Sequence, residues 1–262
     1  MGRMRIATWN VNGLRARLDF VRHWLAAREP DVVGLQEVKA ADDVFPHEAF
    51  EELGYQVLTH GQAGWNGVAI LSRAPLEVVE RGLPGQSDAG ARFLAVNTAG
   101  LSFTTVYCPN GKDVSHPEFP EKLEWFDALV EHCGACCAPD NPAVLCGDFN
   151  IVPGDLDSHH PDGFEEGIFH TAEERARFEA LTALGFVDLF RAKYPDVRAF
   201  SWWDYRAGAF HRNLGLRIDF LLGTQPILDR TREIVIDRDY RKKKEGLTAS
   251  DHAPVYADLD WD

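Results

Sequence analysis

Several familiar devices are missing from this sequence. No stretch is long and apolar enough to cross a bilayer, and the opening Met1-Gly2-Arg3-Met4-Arg5-Ile6 runs into strand character without the apolar core of a secretory leader. The five cysteines (Cys108, Cys133, Cys136, Cys137, Cys146) are odd in number and lack framework spacing, so reduced thiols in a cytoplasmic protein are expected. Cys133, Cys136 and Cys137 have no second pair or histidine partner at zinc-finger spacing, and they fall at the end of an amphipathic helix, where packing is the expected role. There is no His-Glu-x-x-His and no Gly-x-Ser-x-Gly, and Gly111-Lys112 is followed by Asp113. These absences remove zinc peptidases, serine esterases and P-loop nucleotide binding. Cations are short as well: 27 Lys and Arg face 41 Asp and Glu, a net charge of −14 that argues against broad electrostatic binding of nucleic acid. Distribution qualifies that sum, because the acids concentrate at 42–52, at 155–166 and in the C-terminal tail, while Arg238, Arg241, Lys242, Lys243 and Lys244 form one dense basic run. Repeats, low-complexity tracts and internal linkers are absent too, so residues 1–262 are expected to form one globular domain.

What is present is a succession of short apolar runs. Arg5 to Asn10 alternates as a strand, and Leu14, Leu18, Val21 and Leu25 mark the stripe of a helix that Glu29-Pro30 stops. Val32 to Leu35 reads as a buried strand. Strands follow at 55–58, 67–71, 76–80, 92–96 and 101–107, separated by Gly, Pro and Asn turns in the manner of a meander. Phe119, Leu123, Phe126 and Val130 predict a second helix, and Thr171-x-x-Glu174 is a capping box opening a third that ends near Gly185. Further strands are predicted from Ala143 towards Asn150, from Arg217 to Leu222, and after Pro254. The predicted class is α/β, with two packed sheets and helices outside them.

Polar side chains collect at the ends of these strands. Asp148 and Asn150 stand at i, i+2, as do Asn10 and Asn12; if strand geometry persists that far, each pair shares a face. A carboxylate beside an amide can hold one water in a fixed orientation. Glu37 follows a fully apolar strand, Tyr107 ends another, Asp219 sits among apolar neighbours, and Asp251-His252 precede the last strand. This set is rich in oxygen donors and contains no cysteine. Glu37 with Asp251, and Asn12 beside them, suits a hard divalent ion such as Mg²⁺. A metal, a water-orienting pair and one histidine together point to phosphoester hydrolysis. Each residue alone has a plainer use: His252 at the surface, Asp219 as a buried acid near Arg217, Tyr107 and Trp202 as core, the basic run as a solvated loop. Their co-occurrence is what carries weight.

The same residues lie in motifs that run in order along nearly the whole chain: Trp9-Asn10-Val11-Asn12-Gly13-Leu14-Arg15, Leu35-Gln36-Glu37-Val38-Lys39, Asn66-Gly67-Val68-Ala69-Ile70-Leu71-Ser72, Tyr107-Cys108-Pro109-Asn110-Gly111, Gly147-Asp148-Phe149-Asn150, Leu216-Arg217-Ile218-Asp219 and Ser250-Asp251-His252-Ala253-Pro254. Together they resemble the exonuclease III family of class II apurinic/apyrimidinic endonucleases, and its bacterial members most. The resemblance implies a four-layered α/β sandwich, two packed mixed β-sheets flanked by helices, with the site at one edge. It implies a Mg²⁺-dependent monomer (Mn²⁺ can substitute) that cleaves double-stranded DNA 5′ to abasic sites. It also implies 3′→5′ exonuclease and 3′-phosphatase or phosphodiesterase activity on blocked 3′ ends, with no membrane involved. By this resemblance Glu37 is the principal metal ligand, with Asn12 and Asp251 near the same ion. Asp148 orients or deprotonates the attacking water with Asn150 as its partner, and His252, held by Asp219, contacts the scissile phosphate. Tyr107 and Asn10 position phosphate and water, and Asn110 contributes to substrate binding. Trp202, Leu216 and Ile218 form the slot for a flipped-out abasic sugar, which is small enough to enter where an intact nucleotide is not. Whether Asp148 or His252 is the general base stays open. The rivals are a non-specific DNase or another phosphodiesterase of the same superfamily, or a catalytically silent RNA-binding relative. The Trp202 and Leu216 pocket pattern and the Asn12-Gly13-Leu14-Arg15 start favour repair over the other enzymes, and the complete set of acidic and histidine positions argues against the silent relative.

Overall fold

The computed structural model describes residues 2–136, 138–160 and 167–261; Cys137, the acidic stretch at 161–166 and the two terminal residues, all noted above, lie outside them. Among the described residues the first four strands, β1 (Gly2–Asn10), β2 (Val32–Gln36), β3 (Gln56–His60) and β4 (Val68–Ser72), enter one sheet. The next six, β5 (Glu77–Arg81), β6 (Phe93–Thr98), β7 (Leu101–Tyr107), β8 (Ala143–Asp148), β9 (Val187–Asp188) and β10 (Asp219–Gly223), build a second. The last two, β11 (Thr231–Ile236) and β12 (Val255–Trp261), return to the first. The spatial orders are β11-β12-β1-β2-β4-β3 and β5-β6-β7-β8-β10-β9. Each sheet is antiparallel except for one central parallel pair, β1 with β2 and β7 with β8. The expected pair of mixed sheets is therefore present.

A parallel pair needs a crossover. Helix α1 (Leu18–Arg28) supplies it between β1 and β2; the short α2 (His47–Glu51) precedes β3; α3 (Glu118–Cys136) crosses from β7 to β8. Helix α4 (Ala172–Ala183) packs against α3, and α5 (Leu189–Lys193) and α6 (Gln225–Arg230) lie against β10. Because both faces of each sheet are covered, the central strands are buried along most of their length and mainly apolar, with Thr8, Gln36 and Thr105 as buried polar exceptions and alternate residues facing opposite layers. Ile6, Val32, Ile70, Phe103, Val144 and Leu221 fill the interior between the sheets. Their neighbours Ala7, Val33, Ala69 and Leu71 face α1 through Trp9, Phe20 and Trp24, while Leu145, Phe220 and Leu222 face α3 and α4 through Trp125, Phe126 and Phe178. The result is four layers.

Some boundaries differ from the sequence reading, for local reasons. Leu14 falls in a single 3₁₀ turn ahead of α1, and Glu29 ends that helix in the left-handed conformation at φ 47°. The strand predicted from Arg217 begins at Asp219, because Arg217 is buried against Asp157 and Asp188. Cys133 is packed in the core beneath α3, in agreement with packing as its role.

The sheets approach each other closely at Gly34 of β2. A Cβ placed there would lie 2.6 Å from Thr105 Oγ1 on β7 and 3.1 Å from Cys146 Sγ on β8. Overfilling a packed interior typically costs about 1–3 kcal/mol. Gly34→Val is accordingly expected to lower unfolding free energy by about that amount in chemical denaturation. A variant as stable as wild type would show that the sheets are not in contact there.

Candidate active site

Both parallel pairs end at the same edge of the sandwich, the usual location of sites in α/β proteins. From β1 comes Asn10, fully buried; its Nδ2 donates to Glu37 Oε1 at 2.8 Å, beyond β2, and to Asp148 Oδ2 at 2.9 Å, ending β8. One amide thus joins carboxylates carried by the two sheets. Glu37 leaves β2 in the left-handed conformation, φ 51°, and its Oε2 meets Lys39 Nζ at 2.8 Å. Burial opposes its ionisation, but hydrogen bonds from Asn10 and Lys39 hold its pKa below the usual carboxylate value. Tyr107, ending β7, hydrogen-bonds Glu37; burial, then the charges of Glu37 and Asp148, push its phenol pKa well up, so it stays a neutral donor.

The Gly147-Asp148 pair has a steric origin. Gly147 holds φ at +145°, and a Cβ on it would lie 1.9 Å from the carbonyl oxygen of Val106 in the paired strand. Beyond Asp148 the strand stops. Asn150 (φ 50°) and Asn12 (φ 45°) are left-handed, so neither reaches the site by strand alternation, contrary to the i, i+2 reading. Each returns through a turn in which its backbone N–H donates to the preceding polar side chain, Asn150 to Asp148 Oδ1 and Asn12 to Asn10 Oδ1, both at 2.9 Å. The Asn150 amide is fixed by the Cys108 carbonyl at 2.9 Å, and Asn110 Nδ2 reaches its Oδ1 at 3.4 Å.

On the other side stands His252. Its Nδ1 is 2.9 Å from Asp219 Oδ2 and 3.0 Å from Oδ1, and its Nε2 is 3.8 Å from Asp148 Oδ2. Asp219 is anchored by Ser201, whose hydroxyl donates to it and accepts the Ile218 and Asp219 backbone N–H groups at 3.1 Å. Burial disfavours the imidazolium, yet the Asp219 charge and hydrogen bond, followed by Asp148 and Asp251, raise the His252 pKa to about 10. Burial likewise raises Asp148 towards neutrality, opposed by His252 and reinforced by Asp219 and Glu37. Asp251 has both oxygens engaged, with Asn12 Nδ2 at 2.9 Å and Trp202 Nε1 at 3.1 Å. Burial resists its charge too, but His252, Asn12 and Trp202 keep its pKa low.

Glu37, Asp148 and His252 offer donor atoms within 4.8 Å of one another. His252 has its Nδ1 engaged by Asp219, whose charge favours a hydrogen on each ring nitrogen. The donors left are oxygens, from Glu37 and Asp148 with Asn12 and Asp251 adjacent, and they fit a hard divalent cation. Sequence reasoning had grouped Glu37 with Asn12 and Asp251; here Lys39 stands between Glu37 and Asn12, donating to Asn12 Oδ1 at 2.7 Å.

Beside the polar cluster, Val152, Leu216 and Ile218 are buried together, with Phe169 and Trp202 packed on them. Trp202 and Trp203 separate cleanly: Trp202 pairs with Leu216 and His252 in isolated bridges, whereas Trp203 is core against Phe200 and Phe210. Sequence reasoning missed Val152, Phe169 and Ser201, which lie in none of the motifs, and gave no role to Lys39, which closes the Leu35–Lys39 motif. The basic run is not a single patch. Arg241 is buried, donating to the carbonyls of Trp203 and Asp251, and Lys242 and Lys244 both reach Asp239.

A strand-end cluster of carboxylates, a charged histidine and an oxygen-lined cation position defines a metal-dependent phosphodiester hydrolase. The chain belongs to the Endonuclease/Exonuclease/phosphatase family, whose profile matches residues 7–252. It is 36% identical to exodeoxyribonuclease III of Haemophilus influenzae, covering 98% of this chain and 100% of that one. A 3′–5′ exonuclease from Neisseria meningitidis superposes with TM-score 0.94 at 39% identity, covering 98% of this chain and 100% of that chain. An AP endonuclease from Archaeoglobus fulgidus gives TM-score 0.94 at 34% identity, covering 98% and 99%.

The electrostatics carry a signed prediction for the metal-free protein. A histidine whose folded pKa lies above its unfolded value stabilises the fold fully below about pH 6.5, and that stabilisation is lost as pH rises through about 10. In excess chelator, Tm should fall from pH 7 to pH 10 more steeply for wild type than for His252→Asn. Parallel slopes would mean that His252 is not held charged.

Proposed function

We propose that this protein is a DNA-repair phosphodiesterase that cleaves the backbone 5′ to abasic sites, leaving a 3′-hydroxyl and a 5′-deoxyribose phosphate. It also removes nucleotides and phosphates from 3′ ends. The observation that carries this reading is the adjacency of the Glu37–Asn10–Asp148 cluster and the His252–Asp219 pair to an apolar slot of Val152, Phe169, Trp202, Leu216 and Ile218. A slot of that kind suits a sugar lacking its base. The similar 3′–5′ exonuclease and AP endonuclease, and a 3′ phosphatase from Neisseria bound to a product DNA hairpin, agree with it.

In the proposed mechanism Asp148 is the general base. Both its oxygens already accept one hydrogen bond, from Asn150 N and Asn10 Nδ2, which fixes the carboxylate so that its remaining lone pairs address a water. Its raised pKa matches a group that must accept a proton near neutral pH. His252 is unsuited to that task because Asp219 keeps it protonated. Its Nε2–H instead donates to a non-bridging phosphate oxygen, where charge grows in the transition state. Tyr107, bonded to Glu37, and Asn110, whose Nδ2 reaches Asn150 Oδ1, are the proposed further contacts to phosphate and substrate. Mg²⁺, for which Mn²⁺ can substitute, is the proposed ion; Glu37, with Asp251 and Asn12 close by, would hold it, and it would supply positive charge to offset that of the phosphate. The proposed partner is double-stranded DNA bearing abasic sites or blocked 3′ ends, and the proposed working form is a cytoplasmic monomer. No described helix is long and apolar enough to cross a membrane.

The direct test is single-turnover incision of a duplex with one abasic site. Asp148→Asn and His252→Ala should each lose about 10²–10³ in rate while keeping most duplex affinity. Excess chelator should abolish cleavage by wild type. Cleavage at the wild-type rate by Asp148→Asn, or in chelator, would contradict the mechanism.

A further inference from the structure

Lys122 of α3 and Glu174 of α4 form an ion pair in which both side chains are fully buried. Isolated from water, such a pair seldom stabilises a fold more than apolar side chains of similar volume. Helices α3 and α4 already have apolar contacts in Trp125, Phe126, Phe178 and Leu181. What the pair touches is therefore informative. An ammonium has three donors, and beyond Glu174 those of Lys122 go to the Asn150 carbonyl at 2.7 Å and the Asn110 carbonyl at 3.2 Å. Glu174 Oε1 accepts the Phe169 backbone N–H at 3.1 Å, and its Oε2 accepts Thr171 N at 3.1 Å and Thr171 Oγ1 at 2.9 Å. The Lys122 ammonium lies 4.8 Å from the centre of the Phe169 ring.

The pair thus grips three separate loops, each carrying a residue of the site. The backbone it grips is left-handed at two points: Asn150 at φ 50°, which asparagine tolerates, and Phe169 at φ 74°, which is costly for a bulky side chain. Gly111, next to Asn110, has room for little else, since a Cβ there would lie 3.0 Å from Lys122 Cδ and 3.2 Å from Ile168 Cδ1. Strained loops keep such geometry when their surroundings over-determine it, and the buried ammonium and carboxylate are what these three share.

We propose that the Lys122–Glu174 pair is a positioning device for the catalytic edge, setting Asn150 beside Asp148 and Phe169 against the sugar slot. This rests on the catalytic reading of Asp148 and Asn150 given above. Neither Lys122 nor Glu174 touches substrate. The pair acts through the loops, so its removal lowers the chemical rate while leaving the packing of the two helices and the contacts with flanking duplex in place.

The test replaces both partners at once, in Lys122→Met/Glu174→Leu, because a single replacement leaves a buried charge unpaired and unfolds the region. Melting temperature, affinity for an intact duplex and the single-turnover rate on an abasic duplex are measured together, with Asp148→Asn as control. The expected result is a folded variant with a lowered melting temperature that stays well above the assay temperature, because the Phe169 and Thr171 donors lose their acceptor, with unchanged duplex affinity and a rate lower by about 10², the scale of a displacement of about 1 Å in a reacting group. A second variant, Lys122→Arg/Glu174→Asp, keeps both charges and the summed volume but moves the donors; it should fold and lose rate as well. A wild-type rate in either folded variant would overturn the proposal. So would a rate loss that vanishes on cooling well below the melting temperature, which marks a purely structural role. Wild-type cleavage by Asp148→Asn would overturn the underlying reading instead, and the two failures are thereby distinguished.

Discussion

The amide of Asn10 between Glu37 and Asp148 is the contact on which the site depends. Two buried carboxylates repel and each raises the pKa of the other, an effect that a hydrogen-bond donor shared between them offsets in part. Asn10 gives one hydrogen to each, at 2.8 and 2.9 Å. Because Glu37 follows a strand of one sheet and Asp148 ends a strand of the other, that bond pair also sets how the two halves of the sandwich meet. Below it, Gln36 Nε2 donates to Thr8 on β1 and to Thr105 on β7, a second polar tie across the same interface. Fold and chemistry are thus coupled at one point.

Around this contact the charges are arranged in alternation. Lys39 lies on Glu37, Asn10 separates Glu37 from Asp148, and His252 separates Asp148 from Asp219. Such an arrangement explains how a chain with net charge −14 can present a phosphate-accepting edge. What matters to a phosphate is the protonated imidazole and the cation position, not the sum over the surface. The basic run near the C-terminus contributes differently from a phosphate patch: Arg241 braces the backbone at Asp251 and Trp203.

The sequence made the sheets legible because their central strands are largely apolar runs with sharp ends, and the polar residues at those ends, Glu37, Tyr107 and Asp148, meet in one cluster. Trp202 was set apart from Trp203 only by the family resemblance, and in the structure Trp202 packs on Val152, Leu216 and Ile218 whereas Trp203 lies in a separate core cluster. The turn geometry of Asn12 and Asn150 was not legible, since nothing in an i, i+2 spacing states where the strand stops. Nor was the second use of Glu174. Its capping box is a local signal and is present, with Thr171 Oγ1 accepting Glu174 N at 3.2 Å, but its partner Lys122 lies 52 residues away and no local pattern announces it. Val152 and Phe169 were missed for the same reason: apolar side chains reveal a slot only when the loops that carry them are folded together.

The most direct test of the coupling through Asn10 is single-turnover cleavage of an abasic duplex by Asn10→Ala at saturating Mg²⁺, with the fold checked by circular dichroism. Without the bridging amide the two carboxylates lose their common donor, and a folded variant should fall by about 10² or more in rate. A folded Asn10→Ala variant cleaving within about threefold of wild type would contradict it.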